Sequence, residues 1–284
     1  MQGYVATIGM FDGVHTGHRF VLQHVVEQAR SRHLQSLCIT FDHSPRREQV
    51  LTVLADKLHM IRQTGIDRCE VLEFSPRLKT MTARQFMEQV LLRQYGVRVL
   101  LTGYDNRFGH HREEGFADYV RYGRELGIEV QALPACGEAS SSLIRQLLSA
   151  GNIAEANQWL GYDYRFSGTV AHGEHIGTTL GFPTANLVPC CQQQLIPAGG
   201  VYAVRVEWGG GQRSRGIMNI GTRPTFGSHP QTLEVHLLDY SGNLYGALLT
   251  VSFHSRLRAE RTFDSPESLI NQLRQDALQA QQLL

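Results

Sequence analysis

A short apolar strand, a glycine-bearing turn and a helix follow one another near the start of the chain, and this unit limits the possible folds more than any other stretch. Residues 4–8 (Tyr-Val-Ala-Thr-Ile) are apolar and β-branched, as in a buried strand. Gly9 and Gly13 bracket a turn, and residues 19–30 place apolar side chains at helical spacing. This order is typical of the first unit of a parallel α/β sheet. The N-terminus of such a helix favours phosphate, because its N–H groups are unpaired and its dipole end is positive.

Two histidines stand at the predicted start of that helix. His15 and His18 are three residues apart and share a face of the first helical turn, and Gly17 leaves room for a ligand between them. Two imidazoles and a helix N-terminus can hold the phosphates of a nucleotide and stabilise the charge of a phosphoryl-transfer transition state. The alternatives are two surface histidines at a helix start, or a zinc pair, although no cysteine or carboxylate at ligand spacing accompanies them.

The composition excludes several classes of protein. The 284 residues suffice for two domains. A composition with 42% apolar residues, 19% charged residues and a formal net charge of +1 is typical of a globular protein. We therefore expect no nucleic-acid partner, no membrane and no obligate protein partner. The five cysteines show no disulfide-like spacing, and no apolar run approaches eighteen residues, so we expect a cytoplasmic location. Lys57 and Lys79 are the two lysines among 27 basic residues, a bias that either phosphate binding or genomic base composition would explain.

Strand and helix patterns alternate through the first half of the chain. We predict strands over 36–41, 69–74, 97–102 and 128–133, helices over 56–65, 82–95 and up to 125, and a loop over 75–81. Alternation with short connections predicts a doubly wound parallel sheet. Ligands of such sheets bind at the carboxyl ends of the strands, where His15, His18 and Asp42 would lie.

Two further segments follow predicted strands. In residues 103–109, Asp105 could bind a ribose or an amine edge and Arg107 a phosphate, whereas Phe108 would stack on a ligand or fill the core. Three serines at 140–142 precede an apolar helical run and would act as helix N-caps. The same geometry makes an anion site, with Arg145 as a phosphate clamp.

Taken in order, four motifs resemble the adenylyltransferase half of bacterial bifunctional riboflavin kinase/FAD synthetases. They are Gly-x-Phe-Asp-Gly-Val-His-x-Gly-His (9–18), Thr-Phe-Asp (40–42), Gly-x-Asp-x-Arg-Phe-Gly (103–109) and Ser-Ser-Ser-x-Ile-Arg (140–145). The resemblance implies a nucleotidyltransferase that uses His15 and His18 as catalytic residues. The implied ATP-binding residues are Gly9, Phe11, His15, His18, Asp105, Ser142 and Arg145. The implied flavin or phosphate crevice consists of Asp42, Arg107 and Phe108.

From residue 164 the pattern changes to short β-rich runs separated by glycine, followed by an amphipathic stretch over 265–283. Even spacing with glycine-rich turns predicts a small antiparallel β-barrel with a terminal helix. Helical periodicity over 143–160, broken at Gly151 and Asn152, predicts helices, and the family resemblance implies that they link two domains. We therefore divide the chain into a domain at 1–160, linker helices included, and a domain at 161–284.

A second dense motif occupies residues 177–187. Glycines on either side of hydroxyl and amide residues suggest a loop that covers phosphate. In an extended conformation Thr184 and Asn186 face the same side and could offer two neutral oxygens to Mg²⁺. A strand entry that contains proline and a buried asparagine would explain the same residues.

Glu234 lies in an alternating segment, where it faces away from Leu233 and Val235. A carboxylate on the inner or rim face of a barrel could act as a general base during phosphoryl transfer. The alternative is a solvated surface glutamate.

The second half of the chain resembles the riboflavin kinase module over residues 164–284. The resemblance rests on Gly-Phe-Pro-Thr-Ala-Asn-Leu (181–187), Gly-Val-Tyr (200–202), Asn-Ile-Gly-x-Arg-Pro-Thr-Phe (219–226), Glu-x-His-Leu-Leu-Asp (234–239) and Leu-Arg-x-Glu-x-x-Phe (257–263). It implies Mg²⁺–ATP binding by Thr184 and Asn186, and Glu234 as the base that acts on the riboflavin 5′-hydroxyl. The implied ATP and flavin loop residues are Gly177, Gly181, Pro183, Thr184, Asn186, Arg258 and Glu260.

The full hypothesis is one bifunctional enzyme that converts riboflavin and ATP to FMN, and FMN and ATP to FAD and pyrophosphate. The rivals are a kinase that has lost adenylylation and a non-catalytic flavin-binding or flavin-delivery protein. Some positions depart from the family pattern. Met10 stands in place of asparagine and Asn106 in place of an aromatic residue, the histidine of residues 42–45 comes one position early, and two threonines at 178–179 replace a common basic residue.

Overall fold

In the described part of the chain, strands and helices alternate up to residue 132 and are followed by two helices, six strands and a final helix. The computed structural model describes residues 3–42, 49–103, 106–110, 113–134, 136–173, 177, 180–222 and 231–284. It divides the chain into two units, Met1–Ser141 and Ser142–Leu284. The predicted domain boundary between residues 160 and 161 stays a prediction. The predicted linker helices group almost entirely with the second unit.

The first unit is a doubly wound parallel sheet, as predicted. Its strands are β1 (Tyr4–Ile8), β2 (Gln35–Phe41), β3 (Arg68–Leu72), β4 (Val97–Thr102) and β5 (Glu129–Ala132). Its helices are α1 (Thr16–Ser31), α2 (Leu54–Gln63), α3 (Pro76–Thr80), α4 (Ala83–Phe86), which continues as a π-helical stretch over Met87–Gln94, and α5 (Phe116–Leu126). The strand order is β3-β2-β1-β4-β5, with parallel pairing throughout. β1 is therefore central, and the loop that leaves it opens at the middle of the carboxyl edge.

Burial on both faces explains why β1 and β2 are continuous apolar runs. Ala6 and Ile8 pack into a core cluster with α4, the π-helical stretch and α5, whereas α1 packs on β1 and β2. The predicted loop at 75–81 is wrong in part, because α3 forms there. Ser75 caps this helix by accepting the N–H of Leu78, and Pro76 occupies the first turn, where its missing N–H has no cost.

The second unit is a closed antiparallel barrel preceded by two helices. The helices are α6 (Ser141–Ala150) and α7 (Ile153–Leu160). The strands are β6 (Tyr164–Ala171), β7 (Ala185–Pro189), β8 (Gly200–Trp208), β9 (Gln212–Thr222), β10 (Gln231–Leu237) and β11 (Leu248–Arg258), and α8 (Pro266–Leu283) ends the chain. The order β10-β7-β6-β11-β8-β9 closes through the pairing of β10 with β9. The prediction of a barrel with a terminal helix is confirmed, although β7, flanked by prolines, does not stand out as a strand in the sequence.

Alternating residues of the barrel strands separate an inner core from an outer face. Phe166, Tyr202 and Phe253 are buried and in ring contact in the core. On the outside, Val201 and Ile217 pack against Ala280 of α8. Among the described residues, no helix combines the length and the apolarity that crossing a membrane requires.

Candidate active sites

The loop from β1 to α1 has a strained backbone. Phe11 and Val14 adopt φ of +50° and +36°, and Gly13 adopts +83°. A positive φ costs a non-glycine residue about 1–3 kcal/mol, so it persists where the surroundings hold the backbone in place. Such strain is concentrated at functional sites, and here it lies at the carboxyl end of the central strand.

Hydrogen bonds from distant segments hold this loop. The Asp12 carboxylate accepts the N–H groups of Leu51 (3.0 Å) and Thr52 (3.1 Å), and the Thr52 hydroxyl accepts the Gly13 N–H at 3.1 Å. The Ser141 hydroxyl donates to the Asp12 carbonyl at 2.8 Å. Asp12 is therefore a structural anchor of the loop.

A lysine and an asparagine hold the ends of the strands. Lys57 Nζ donates to the carbonyl oxygens of Met10 (3.2 Å) and Phe41 (2.8 Å), and Asn106 Nδ2 donates to that of Ile8 at 2.5 Å. Asn106 departs from the family pattern, and its contact ties the loop after β4 to the end of β1.

His15 and His18 lie together at the start of α1. His15 is the N-cap: its Nδ1 accepts the His18 N–H at 3.4 Å. The two rings stack with centroids 3.6 Å apart, and Phe11 meets His18 edge-on at 5.2 Å. A Cβ on Gly17 would lie 3.3 Å from the His15 ring, so glycine lets this ring settle over the helix start.

Both imidazoles are neutral at pH 7. Burial lowers the pKa of His15 to about 4. The pKa of His18 is lowered well below its ordinary value by burial and, to a smaller extent, by the neighbouring His15 and Lys57. Because Nδ1 of His15 accepts a hydrogen bond, its proton resides on Nε2, which is then a donor for a ligand. His18 Nδ1 is buried and has no partner among the residues that the structure describes.

The other predicted residues of this site have different surroundings. Gly9 lies under the Phe11 ring, and Asp42 follows β2 and accepts the Phe74 N–H at 3.2 Å. Arg107 is exposed. Phe108 stacks on Tyr119 at 4.2 Å and packs against the core, which is the alternative that the sequence left open. Asp105 and residues 43–45 lie outside the described residues. Ser142 and Arg145 are on α6, in the second unit, and their role stays a prediction.

Strand register brings the key residues of the second site together. On β10, Glu234 is paired with Asn186 of β7 on one side and with Asn219 of β9 on the other. Directly opposed residues have Cβ atoms about 4.5–5.5 Å apart, so the three side chains form a row. Asn219 is itself paired with Val201, which lies under α8, so the row is on the outer face of the barrel. The part of the prediction that allowed an inner position for Glu234 is therefore wrong, because the interior is filled by the alternate residues.

Glu234 is half-buried, and within the described residues its carboxylate has no hydrogen-bond or ion-pair partner. The exposed Glu207 on β8, by contrast, is paired with Arg213 at 3.2 Å. An unpaired carboxylate between two carboxamides is available to a substrate hydroxyl.

The described residues just before β7 contact one another and β10. Gly177 accepts the Phe182 N–H at 2.8 Å, and a Cβ on Gly177 would lie 2.4 Å from the Phe182 carbonyl oxygen and 3.2 Å from Thr184 Oγ1. The Pro183 carbonyl accepts the Nδ1–H of His236 at 2.7 Å, which anchors the loop to β10. Thr184 therefore lies between the segment anchored to β10 and the row.

Two glycines shape the same region. Gly181 adopts φ of +81°, which favours glycine. A Cβ on Gly173 would lie 2.0 Å from Asn186 Nδ2, so the Asn186 amide rests against the bare backbone. Residues 178 and 179 lie outside the described residues.

Arg258 and Glu260 follow the last strand. Arg258 makes a paired contact with Asp276 of α8, from Nη2 at 2.8 Å and Nε at 3.0 Å. Glu260 is exposed, and its carboxylate lies over Gly199 and Gly221. Arg258 thus joins β11 to α8, and a direct contact of Arg258 with a flavin stays a prediction.

Asp276→Asn is expected to lower the stability of the second unit by about 3 kcal/mol, because Asp276 is 1% exposed and its loss leaves a partly buried guanidinium without its partner. Thermal unfolding of the full chain measures the change. Asp239→Asn, at an exposed pair with Arg215, is the control and should change stability by less than about 1 kcal/mol. Equal effects of the two substitutions would contradict the structural role of the Arg258 pair.

Sequence reasoning missed Lys57, Asn219 and His236 as parts of these sites. The signal for Lys57 was its rarity in an arginine-rich chain. Asn219 and His236 lie inside the motifs at 219–226 and 234–239, but their places beside Glu234 and Pro183 follow only from the strand register and the tertiary contacts.

Known proteins and family profiles match both halves of the chain. A family profile described as FAD synthetase matches residues 1–146, and one described as riboflavin kinase matches residues 160–284. The bifunctional riboflavin kinase/FMN adenylyltransferase of Escherichia coli strain K12 is 38% identical, with 99% of this chain and 93% of that protein covered. The protein of the same name from Haemophilus influenzae is 36% identical, with 97% and 92% covered. A crystal structure described as a macrolide-efflux protein from Streptococcus pneumoniae matches with a TM-score of 0.91 and 29% identity, over 99% of this chain and 94% of that one.

Proposed function

Because the chain belongs to the family of bifunctional riboflavin kinase/FMN adenylyltransferases, we propose which of its residues carry each of the two reactions. The enzyme phosphorylates riboflavin to FMN and adenylylates FMN to FAD. Its riboflavin kinase part matches residues 160–284 and its FAD synthetase part residues 1–146. Riboflavin, FMN and FAD are therefore its substrates and products, and ATP is the proposed donor in both steps.

In the kinase reaction, Glu234 is the general base. It takes the proton of the riboflavin 5′-hydroxyl as the γ-phosphoryl group of ATP is transferred, a role worth about 10²- to 10⁴-fold in rate. The observation that carries this proposal is the row in which Glu234 lies between Asn186 and Asn219 with no partner among the described residues. The two carboxamides can hold substrate groups without competing for the proton.

The residues of the kinase site fit Mg²⁺. Thr184 and Asn186 offer neutral oxygens beside Glu234, and magnesium accepts few protein ligands and completes its shell with water and phosphate oxygens. No cluster of three or more histidine, cysteine or acidic residues that could hold a metal occurs in the described part of the chain. When bound with ATP, Mg²⁺ would neutralise charge on the phosphates, while Thr184 and Asn186 orient them toward the hydroxyl.

In the adenylyl transfer, the stacked histidines and the N-terminus of α1 bind the phosphates of ATP. His15 donates from Nε2, and His18 lies beside it, so neutral imidazoles contribute hydrogen bonds where charge develops on the α-phosphate and on the departing pyrophosphate. The FMN phosphate oxygen attacks in line, and the protein contributes positioning and electrostatic stabilisation. We also propose a cytoplasmic location, which the free thiols of all five cysteines support.

Purified protein incubated with riboflavin, ATP and Mg²⁺ should form FMN first and FAD second, as followed by chromatography. FAD should also form from supplied FMN. Formation of FMN alone would favour the rival of a kinase that has lost adenylylation. Flavin binding without turnover would favour the rival of a carrier protein.

Gly173→Ala is expected to reduce kcat/KM of the kinase by about 10²-fold, because the new methyl group displaces the Asn186 amide and such misplacements have costs of this size. FAD formation from supplied FMN should be unchanged. The matched control is Gly115→Ala, where a Cβ meets nothing within 4 Å. Wild-type kinase activity in the Gly173 variant would contradict the role of Asn186. Steady-state kinetics with each flavin substrate makes the comparison.

A further inference from the structure

A buried lysine lies behind the adenylyl-transfer loop, and neither proposed reaction has used it. Lys57, on α2, is 4% exposed. Its ammonium donates to Met10, just after β1, and to Phe41, the last residue of β2. An ammonium has three donors, and the third N–H of Lys57 has no acceptor among the residues that the structure describes. The group therefore lies at the carboxyl edge of β1 and β2, where ligands of such sheets bind.

Burying a charge costs several kcal/mol unless it is compensated. Burial lowers the pKa of Lys57, and the nearby Asp12, Cys38, Cys69 and Asp42 act in the opposite direction. Two main-chain hydrogen bonds alone would not require a charge, since a neutral amide makes them too. An ammonium at this position supplies a positive charge in addition to the two hydrogen bonds.

The neighbouring groups show what that charge would do. The imidazoles of His15 and His18 are neutral, so they provide donors but no permanent charge. Arg19, whose Nε donates to the Val14 carbonyl, is a cation on the helix side of the loop. Lys57 provides a second cation on the sheet side of the loop, and this cation is close enough to His18 to lower the pKa of His18.

The choice of lysine is informative in this chain, where only two of 27 basic residues are lysine. A compact ammonium fits between two carbonyl oxygens that converge from neighbouring strands. A planar guanidinium needs a wider and flatter site.

We propose that Lys57 is a positioning residue of the adenylyl-transfer site, which holds the strained loop over 10–14 and supplies a fixed positive charge behind the ATP phosphates. This inference rests on the proposed assignment of adenylyl transfer to the His15 and His18 site. It extends that assignment to Lys57, which contacts the loop through the Met10 carbonyl.

The test uses the full chain with Lys57→Met, Lys57→Gln and, as the matched control, Lys79→Met at the exposed lysine of α3. FAD formation from supplied FMN should fall at least about 30-fold in both Lys57 variants, while FMN formation from riboflavin stays at the wild-type rate. Lys57→Gln keeps an amide donor, so its equal loss identifies the charge as the essential property. In Lys57→Gln the NMR titration of the His18 ring should move to higher pH, and in Lys79→Met it should not.

Wild-type FAD formation in Lys57→Met would overturn the proposal. So would full rescue by Lys57→Gln, an unmoved His18 titration, or a parallel loss of FMN formation that reveals a folding defect. If the wild-type protein formed FMN from riboflavin but no FAD from supplied FMN, the proposed adenylyl-transfer site would be wrong. This inference about Lys57 would then be wrong as well.

Discussion

Glu234→Gln is expected to reduce FMN formation from riboflavin by about 10²- to 10⁴-fold, because an amide cannot take the proton of the 5′-hydroxyl. The substitution keeps the size of the side chain and its place between Asn186 and Asn219. FAD formation from supplied FMN should remain at the wild-type rate, because the adenylyl-transfer residues belong to the other half of the chain. Separate assays with riboflavin and with FMN, resolved by chromatography, measure the two rates.

The control for this experiment is Glu207→Gln on β8. Glu207 is an exposed carboxylate of the same barrel, paired with Arg213, and its loss should leave both reactions unchanged. If Glu234→Gln lowered both reactions together, the assignment of the two activities to the two halves would be wrong. If it lowered neither, Glu234 would not be the base.

The histidines should show the reverse pattern. His15→Asn and His18→Ala are each expected to lower FAD formation by about 10²- to 10³-fold, since each removes a donor aimed at developing charge. FMN formation from riboflavin should be unaffected. Asparagine is the informative replacement at position 15, because it is a good N-cap and can still accept the His18 N–H. A loss in His15→Asn is therefore a loss of the imidazole and not of the helix cap.

The histidine experiment has its control on the same helix. His24, whose Nδ1 contacts the Phe20 carbonyl, lies two turns further along α1, and His24→Asn should leave FAD formation unchanged. Unchanged FAD formation in both His15→Asn and His18→Ala would reject their role.

The pKa of His15 adds a signature in stability. The folded loop excludes the proton down to about pH 4, whereas the unfolded chain takes it up near pH 6.5. The contribution of His15 to folding stability should therefore be complete above pH 6.5 and decline as the pH falls toward 4. His15→Asn should remove this part of the pH dependence, which unfolding curves at several pH values would show.

Local patterns in the sequence were sufficient for most of the architecture. The apolar run at 4–8, the glycines of the turn and the helical spacing after residue 18 predicted β1 and α1, and strand–helix alternation predicted the parallel sheet. Short β-rich runs between glycines predicted the barrel. These predictions succeed because periodicity, capping and turn formation depend on residues within a few positions of one another. The start of α3 is also a local signal, a Ser-Pro pair that caps the first turn, although the segment around it is short and polar.

The composition of the sites depended on contacts that no local pattern contains. Alternation showed that Glu234 faces away from Leu233 and Val235, but only the closed barrel showed that this face is the outer one and that Asn186 and Asn219 are its neighbours. Lys57 meets carbonyl oxygens 47 and 16 residues away in the chain.

The sequence by itself therefore determined the two half-folds and the family, and it predicted side chains for both sites. The tertiary structure alone decided which of them stand side by side, which carbonyls hold the buried lysine, and that burial lowers the pKa of both imidazoles. The physical reason is that strand register, burial and the electric field at a residue are set by segments far away in the chain, whereas secondary structure is set largely by near neighbours.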